Sequence, residues 1–171
     1  MRRPPDLSAL ASRTEAPVRV LMVCMGNICR SPTAEAVLRK MIVDARLEAR
    51  CEVDSAGTHD YHIGKPPDAR AQRHARARGH DLSALRARQL TAQDFECFDL
   101  VLVMDAANEA AARALCPAPL RPRIHRLTDF CAAHAFEEVP DPYYGGAAGF
   151  EQVLDLAQDA CRGLLVSLRL I

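Results

Sequence analysis

The apolar run Val18-Arg19-Val20-Leu21-Met22-Val23, together with the loop and helix immediately after it, most limits how this chain can fold. So continuous a run of branched and apolar residues suits a strand covered on both faces. It leads through Cys24-Met25-Gly26-Asn27-Ile28-Cys29-Arg30-Ser31-Pro32 directly into residues 33–41, which read as a helix with Ala36, Val37, Lys40 and Met41 spaced to face a sheet. A strand that passes into a helix over so short a loop is the opening of a βα unit. The loop then lies beyond the carboxyl end of the strand, where open α/β sheets bind their ligands.

The loop's composition suits an anion. Gly26 lets backbone approach backbone, and Asn27 is the non-glycine type most tolerant of a left-handed conformation. Ser31 reads as the helix N-cap, with Pro32 at the first helical position, where its missing N–H costs little. Successive loop N–H groups turned inward form a concavity for negative charge, and the helix adds the positive end of its dipole. A sulfur at the bottom of such a cup is favoured as its anion, which makes Cys24 a candidate nucleophile for phosphorus. Arg30 supplies a planar fork for two equatorial oxygens, and the five residues between wrap one tetrahedral oxyanion. The phosphate-binding set is then Met25, Gly26, Asn27, Ile28, Cys29 and Ser31, whose hydroxyl can also donate to the sulfur as it leaves. A free cysteine is more often a small buried hydrophobe, and an arginine more often a surface cation. The helix start, where the dipole disfavours a cation, favours an anion held between the two.

Further along, residues 52–57 read as a second strand, residues 99–104 as a third and residues 123–127 as a weaker fourth. Helices are expected over 68–78, stopped by Gly79, over 106–115, stopped by Pro117, and over 149–170, whose apolar residues share one face. Thr91 to Asp94 resembles a capping box opening a short helix. The arginines at 70, 73, 76 and 78 read as a solvated face, with a basic rim for acidic peptides as the alternative. Strands alternating with helices predict an α/β fold, a three-layer α/β/α sandwich. Cys24, Ser55 and Asp105 should gather at its carboxyl edge, the last two bracing the loop. Residues 1–16 are polar and without period and read as a flexible extension before a single domain over 17–171.

Composition removes several classes. Charges balance at 22 against 22, so no global field recruits nucleic acid or an anionic membrane. Nothing reads as a membrane span, and no apolar stretch comes after Arg2 and Arg3 as in a secretory signal. Seven cysteines, an odd number without C-x2-C spacing, argue against a zinc site or a disulfide framework, and the six histidines show no metal spacing. A cytoplasmic protein that needs no metal or cofactor is expected.

Asn27-Ile28-Cys29-Arg30-Ser31-Pro32 resembles the signature of the low-molecular-weight protein tyrosine phosphatases, and Asp141-Pro142-Tyr143-Tyr144-Gly145 resembles that family's general-acid loop. The resemblance implies a four-stranded parallel sheet in the order 2-1-3-4. It implies hydrolysis of phosphotyrosine through a phosphocysteine on Cys24, with Arg30 holding the oxyanion, Asp141 as general acid and base, and inorganic phosphate as product. Tyr61, Tyr143 and Tyr144 would line a cleft deep enough to exclude phosphoserine, and Ile28 stands where the arginine-phosphatase branch has threonine. Cys29 either packs or, as the resemblance implies, forms a reversible disulfide with Cys24. Eukaryotic members have a histidine where Leu85 stands, which leaves open how Asn27 is braced. Implied partners are phosphotyrosine proteins, among them an autophosphorylating tyrosine kinase. Two rivals are arsenate reduction on the same fold, which needs two further close cysteines unlike Cys97 and Cys116, and a non-catalytic phosphopeptide-binding module, which would not need Asp141.

Overall fold

A computed structural model describes residues 3–171. Four strands, β1 (Val18–Cys24), β2 (Cys51–Gly57), β3 (Leu100–Val103) and β4 (Ile124–Arg126), form one sheet in the order β2-β1-β3-β4. Every neighbouring pair is parallel. Six α-helices accompany them among the described residues: α1 (Ser8–Ala11), α2 (Arg30–Asp44), α3 (Ala69–Ala77), α4 (Asp94–Cys97), α5 (Ala106–Leu115) and α6 (Ala147–Ser167).

Alternation along β1 explains why its sequence is apolar throughout. Val20 and Met22 join the core under α2, α3 and α6, while Leu21 and Val23 join a second core with Phe95 of α4 and Ala112 of α5. Leu21 and Met22 are fully buried. Burying a side chain of that size contributes about 1.5–3 kcal/mol. The central strand is thus covered on both faces, which gives the three layers and leaves its carboxyl end to open into a loop.

Some boundaries differ from those expected. Helix α2 starts at Arg30, three residues early, so Ser31 is not its N-cap; Cys29 holds that place without a side-chain cap. Helix α6 starts two residues before 149 and ends at Ser167, and the last strand is trimmed to Ile124–Arg126. Thr91 does pair with Asp94, its amide donating to the carboxylate at 2.8 Å, but α4 itself begins at Asp94.

The segment before residue 17 is tied down where its sequence reads as flexible. Leu7 is buried in the larger core. Arg13 donates to both oxygens of Asp99 at 2.9 and 2.6 Å and to the carbonyl of Pro17 at 2.8 Å. A single leucine carries no period, and a pair 86 residues apart carries no local pattern, so neither could be read from the sequence. Residues 1 and 2, where that segment begins, lie outside the described residues. Among the described residues no helix is long and apolar enough to cross a membrane.

Candidate functional site

At the carboxyl edge of the sheet, Cys24 ends β1, its register partner Gly57 ends β2, and Asp105 comes just after β3. Asn27 takes the left-handed conformation, with φ 57°. The loop is held from outside through its carbonyls. The amides of Thr58, His59 and Asp68 donate to the carbonyls of Cys24, Met25 and Ile28 at 2.9, 2.9 and 2.8 Å. Among the described residues, the amides of residues 25–30 donate to no protein acceptor. The loop therefore presents a run of backbone donors for an anion at Cys24.

A buried chain of hydrogen bonds fixes the sulfur. Asn27 Nδ2 donates to Ser31 Oγ at 2.7 Å and to Ser55 Oγ at 2.9 Å. Ser55 in turn donates to Glu35 Oε1 at 2.6 Å, and Arg39 donates to Glu35 Oε2 at 2.7 Å. With Asn27 supplying both its hydrogens and Ser31 accepting one, the Ser31 hydroxyl hydrogen is left for Cys24 Sγ, 3.0 Å away; its alternative, the Ala56 carbonyl, is at 3.5 Å. The Arg88 amide donates to Asn27 Oδ1 at 3.0 Å. Asn27 is thus braced by two serines and a backbone amide, with no histidine in the network.

Arg30 is only 3% exposed and faces three potential anions. Its Nη1 donates to Asp105 Oδ2 at 2.6 Å and to the Val139 carbonyl at 3.0 Å, while Nη2 lies 3.6 Å from Asp141 Oδ2. Burial opposes its charge, but negative charge at Cys24, Asp105 and Asp141 outweighs it and lifts the guanidinium pKa above its usual value. Asp105 is itself fixed, capping α5 by accepting from the Asn108 amide at 2.8 Å. Burial, with the negative charges of Asp68, Cys24 and Asp141, pushes the Cys29 thiol far above the ordinary range, so Cys29 stays protonated beside the cup.

Above the cup a cleft opens, lined by Cys24, Met25, Ile28, Arg30, Asp141 and three tyrosines, Tyr61, Tyr143 and Tyr144, together with His62. His62 crosses close to the loop backbone: a Cβ added at Gly26 would stand 2.8 Å from its ring. Asp141 is part-exposed at the cleft edge, its Oδ1 accepting from the Tyr143 amide at 3.1 Å.

A family model for low molecular weight phosphotyrosine protein phosphatases matches residues 19–170. The chain belongs to that family. The protein slr0328 of Synechocystis sp. is 45% identical over 152 residues, covering 88% of this chain and 96% of its own. The low molecular weight protein-tyrosine-phosphatase YfkJ of Bacillus subtilis is 40% identical over 152 residues, 89% of this chain and 96% of its own. The protein tyrosine phosphatase of Entamoeba histolytica, solved with Hepes in its active site, superposes with a TM-score of 0.86 at 40% identity, covering 89% of this chain and 97% of its own.

In this phosphatase-family chain the sheet order is the one the resemblance implies, and the residues singled out from the sequence as site candidates lie in the loop, in the first turn of α2 or in the cleft. Four others do not stand out in the sequence: His62, Glu35, Arg88 and Gly57. His62 lies in a loop of mixed composition, and Glu35 looks like an ordinary polar position near a helix start. Gly57 reads only as the end of a strand. The signal that could have found it is its register with Cys24, which requires knowing how the strands pair.

Proposed function

We propose that the chain hydrolyses phosphotyrosine in proteins by two in-line phosphoryl transfers. In the first, a lone pair of Cys24 Sγ forms the S–P bond as the P–O bond to the aryl group breaks. Asp141 gives its proton to the leaving oxygen, releasing the tyrosine phenol. In the second, Asp141 takes a proton from water, the water oxygen forms a bond to phosphorus, and the S–P bond breaks. Sulfur departs as thiolate, eased by the Ser31 hydroxyl at 3.0 Å, and inorganic phosphate is released. The loop amides and Arg30 hold the three equatorial oxygens through both steps, the positioning and electrostatic help from which a loose transition state gains most.

One observation carries the reading: a buried sulfur stands under a run of unpaired backbone amides, with Arg30 reaching from its side toward Asp141 at 3.6 Å. A phosphopeptide-binding module has no need of that carboxylate. The aromatic walls favour a long, flat phosphotyrosine over phosphoserine, and Ile28 at the cup favours it over phosphoarginine. Substrates are phosphotyrosine proteins of the cytoplasm, an autophosphorylating tyrosine kinase among them.

Hydrolysis of phosphotyrosine, phosphoserine and phosphoarginine peptides tests the reading. Phosphotyrosine should be strongly preferred and Cys24→Ser should abolish turnover. Asp141→Ala should lower the rate by about 10²–10⁴-fold, the usual scale of general acid–base catalysis. Turnover by Cys24→Ser, or equal rates on the three peptides, would overturn it.

A further inference from the structure

Arg70 does not belong to a solvated helix face. Its guanidinium donates through Nε and Nη2 to the two oxygens of Asp68 at 3.1 and 3.0 Å, and Nη2 also donates to the Tyr143 carbonyl at 3.0 Å. Its guanidinium carbon lies over two rings, 5.5 Å from the centre of Tyr143 and 4.9 Å from the centre of Phe150. Asp68, in turn, caps α3 by accepting from the amides of Arg70 and Ala71, and its own amide donates to the Ile28 carbonyl of the phosphate loop at 2.8 Å. One arginine therefore links the loop that holds the anion to the loop that carries Asp141.

The Asp141 loop has an anchor on each side. Two residues before the aspartate, the Val139 amide donates to the Met104 carbonyl at 2.8 Å and the Val139 carbonyl accepts from Arg30. Two residues after it, the Tyr143 carbonyl accepts from Arg70, and the Tyr143 amide reaches back to Asp141 Oδ1. The first anchor is buried, with Val139 only 1% exposed. On the other side Pro142 is buried, but Tyr143 is exposed and Tyr144 is 93% exposed, and the side chain that holds the Tyr143 carbonyl is Arg70.

We propose that Arg70 is a positioning residue that sets Asp141 over the leaving oxygen by clasping the Tyr143 carbonyl to the Asp68 end of the phosphate loop. The proposal rests on Asp141 being the general acid. A planar fork is required, because two donors serve Asp68 while one also serves Tyr143, and the same guanidinium lies near two rings. Lysine can keep the charge but neither the shared geometry nor the stacking.

Leaving-group dependence separates this role from a merely structural one. A misplaced acid matters when the leaving oxygen is basic and matters little when it departs unaided. The test measures kcat/KM, which reports the first transfer, for phenyl phosphate and for 2,4-dinitrophenyl phosphate in the wild type, Arg70→Met, Arg70→Lys, Asp141→Ala and the Arg70→Met/Asp141→Ala pair. Displacing a catalytic group by an ångström costs up to about 10²-fold, and with the Val139 anchor intact the expected loss in Arg70→Met is about tenfold for phenyl phosphate. It should be less than about twofold for the dinitrophenyl ester, should be only partly restored in Arg70→Lys, and should vanish in the Asp141→Ala background. Equal losses for both esters, or an undiminished loss in the double variant, would overturn the clasp while leaving Asp141 as the acid. Should Asp141→Ala treat the two esters alike, the acid assignment fails, and the clasp with it.

Discussion

Replacing Gly57 with alanine tests whether the cup works as a rigid backbone surface. Gly57 lies outside the left-handed region, so alanine is allowed there by its own backbone, and any effect comes from contact. Its Cβ would stand 2.7 Å from the Met25 carbonyl oxygen, 3.0 Å from the Gly26 carbonyl carbon and 3.1 Å from the Asn27 nitrogen. All three are main-chain atoms of the phosphate loop, and no rotamer change can relieve them. Gly57 cannot retreat either. Its amide donates to the Arg88 carbonyl at 2.9 Å, its carbonyl accepts from Leu90 at 2.7 Å, and β2 holds it in register with Cys24. Relaxed carbon contacts lie near 3.5–4.0 Å, so the loop must move by roughly 0.5–1 Å. Overpacking of this kind costs about 1–3 kcal/mol, which in a chain of this size lowers Tm by roughly 2–12 °C. A shift of that size at the reacting centre costs up to about 10²-fold in kcat/KM. The assay pairs thermal unfolding with kcat/KM on an aryl phosphate and inhibition by inorganic phosphate, which should weaken as the amides lose their common focus. Wild-type kcat/KM and unchanged phosphate inhibition in Gly57→Ala would refute the reasoning, because the loop would then be soft enough to absorb the methyl group.

Two predictions concern regions away from the chemistry. Arg13→Ala removes a two-pronged, part-buried bond to Asp99 and should cost about 1–3 kcal/mol in denaturant unfolding. It should leave kcat/KM unchanged, since the pair sits at the amino edge of the sheet, roughly 20 Å along β1 from Cys24; altered kinetics would mean that the N-terminal segment reaches the site. The second prediction is a pH dependence of stability from His80. Burial, helped by the charges of Lys40 and Arg78 and opposed by Asp44, lowers its pKa below the usual 6.5. The unfolded chain then takes up the proton first, so this contribution is complete above pH 6.5 and is lost as pH falls through the lowered folded value. His125, also lowered by burial, adds in the same direction. In His80→Gln the fall in Tm below pH 6.5 should be shallower than in the wild type, and parallel curves would assign the dependence elsewhere.

What could be read from the sequence was whatever is encoded locally. The strand, the glycine and asparagine of the loop, the cysteine and the arginine are contiguous, and each residue's chemistry points to the same anion. Asp141 was legible because its Asp-Pro-Tyr-Tyr setting resembles a known loop, although the distance from Arg30 could not be known. The brace beneath the loop was only half visible. Ser55 could be placed at the sheet edge by topology, but Glu35 and Arg88 enter through hydrogen bonds that cross 20 and 61 residues. Ser31 reads in two ways from the sequence, as helix N-cap and as hydrogen-bond donor to the sulfur, and the geometry keeps the second and not the first. Serine ahead of a proline and a helix reads as an N-cap, yet here Cys29 holds the N-cap position, two residues sooner, and the Ser31 hydroxyl turns to sulfur. Arg70 escaped for the opposite reason: arginines recurring along a helix look solvated, and only the tertiary partners Tyr143 and Phe150 set it apart.

Two aspartates stand beside Arg30, and the hydrogen bonds distinguish their tasks. Both oxygens of Asp105 are engaged as acceptors, Oδ2 from Arg30 at 2.6 Å and Oδ1 from the Asn108 amide at 2.8 Å. A carboxylate committed in this way serves to hold the guanidinium, and in doing so offsets the cost of a cation at the N-terminus of α2. Asp141 has one oxygen accepting from the Tyr143 amide, while Oδ2 lies 3.6 Å from Arg30, beyond hydrogen-bonding distance. When a dianionic phosphoryl group enters between Arg30 and the amides, negative charge is added next to both carboxylates. Asp141 Oδ2 is the oxygen with room for a proton, and Asp141 lines the cleft through which the proposed reaction would release a phenol. For the proposed mechanism the division of labour comes from who is already bonded: Asp105 holds Arg30 in place, and Asp141 has the free oxygen that a proton carrier needs.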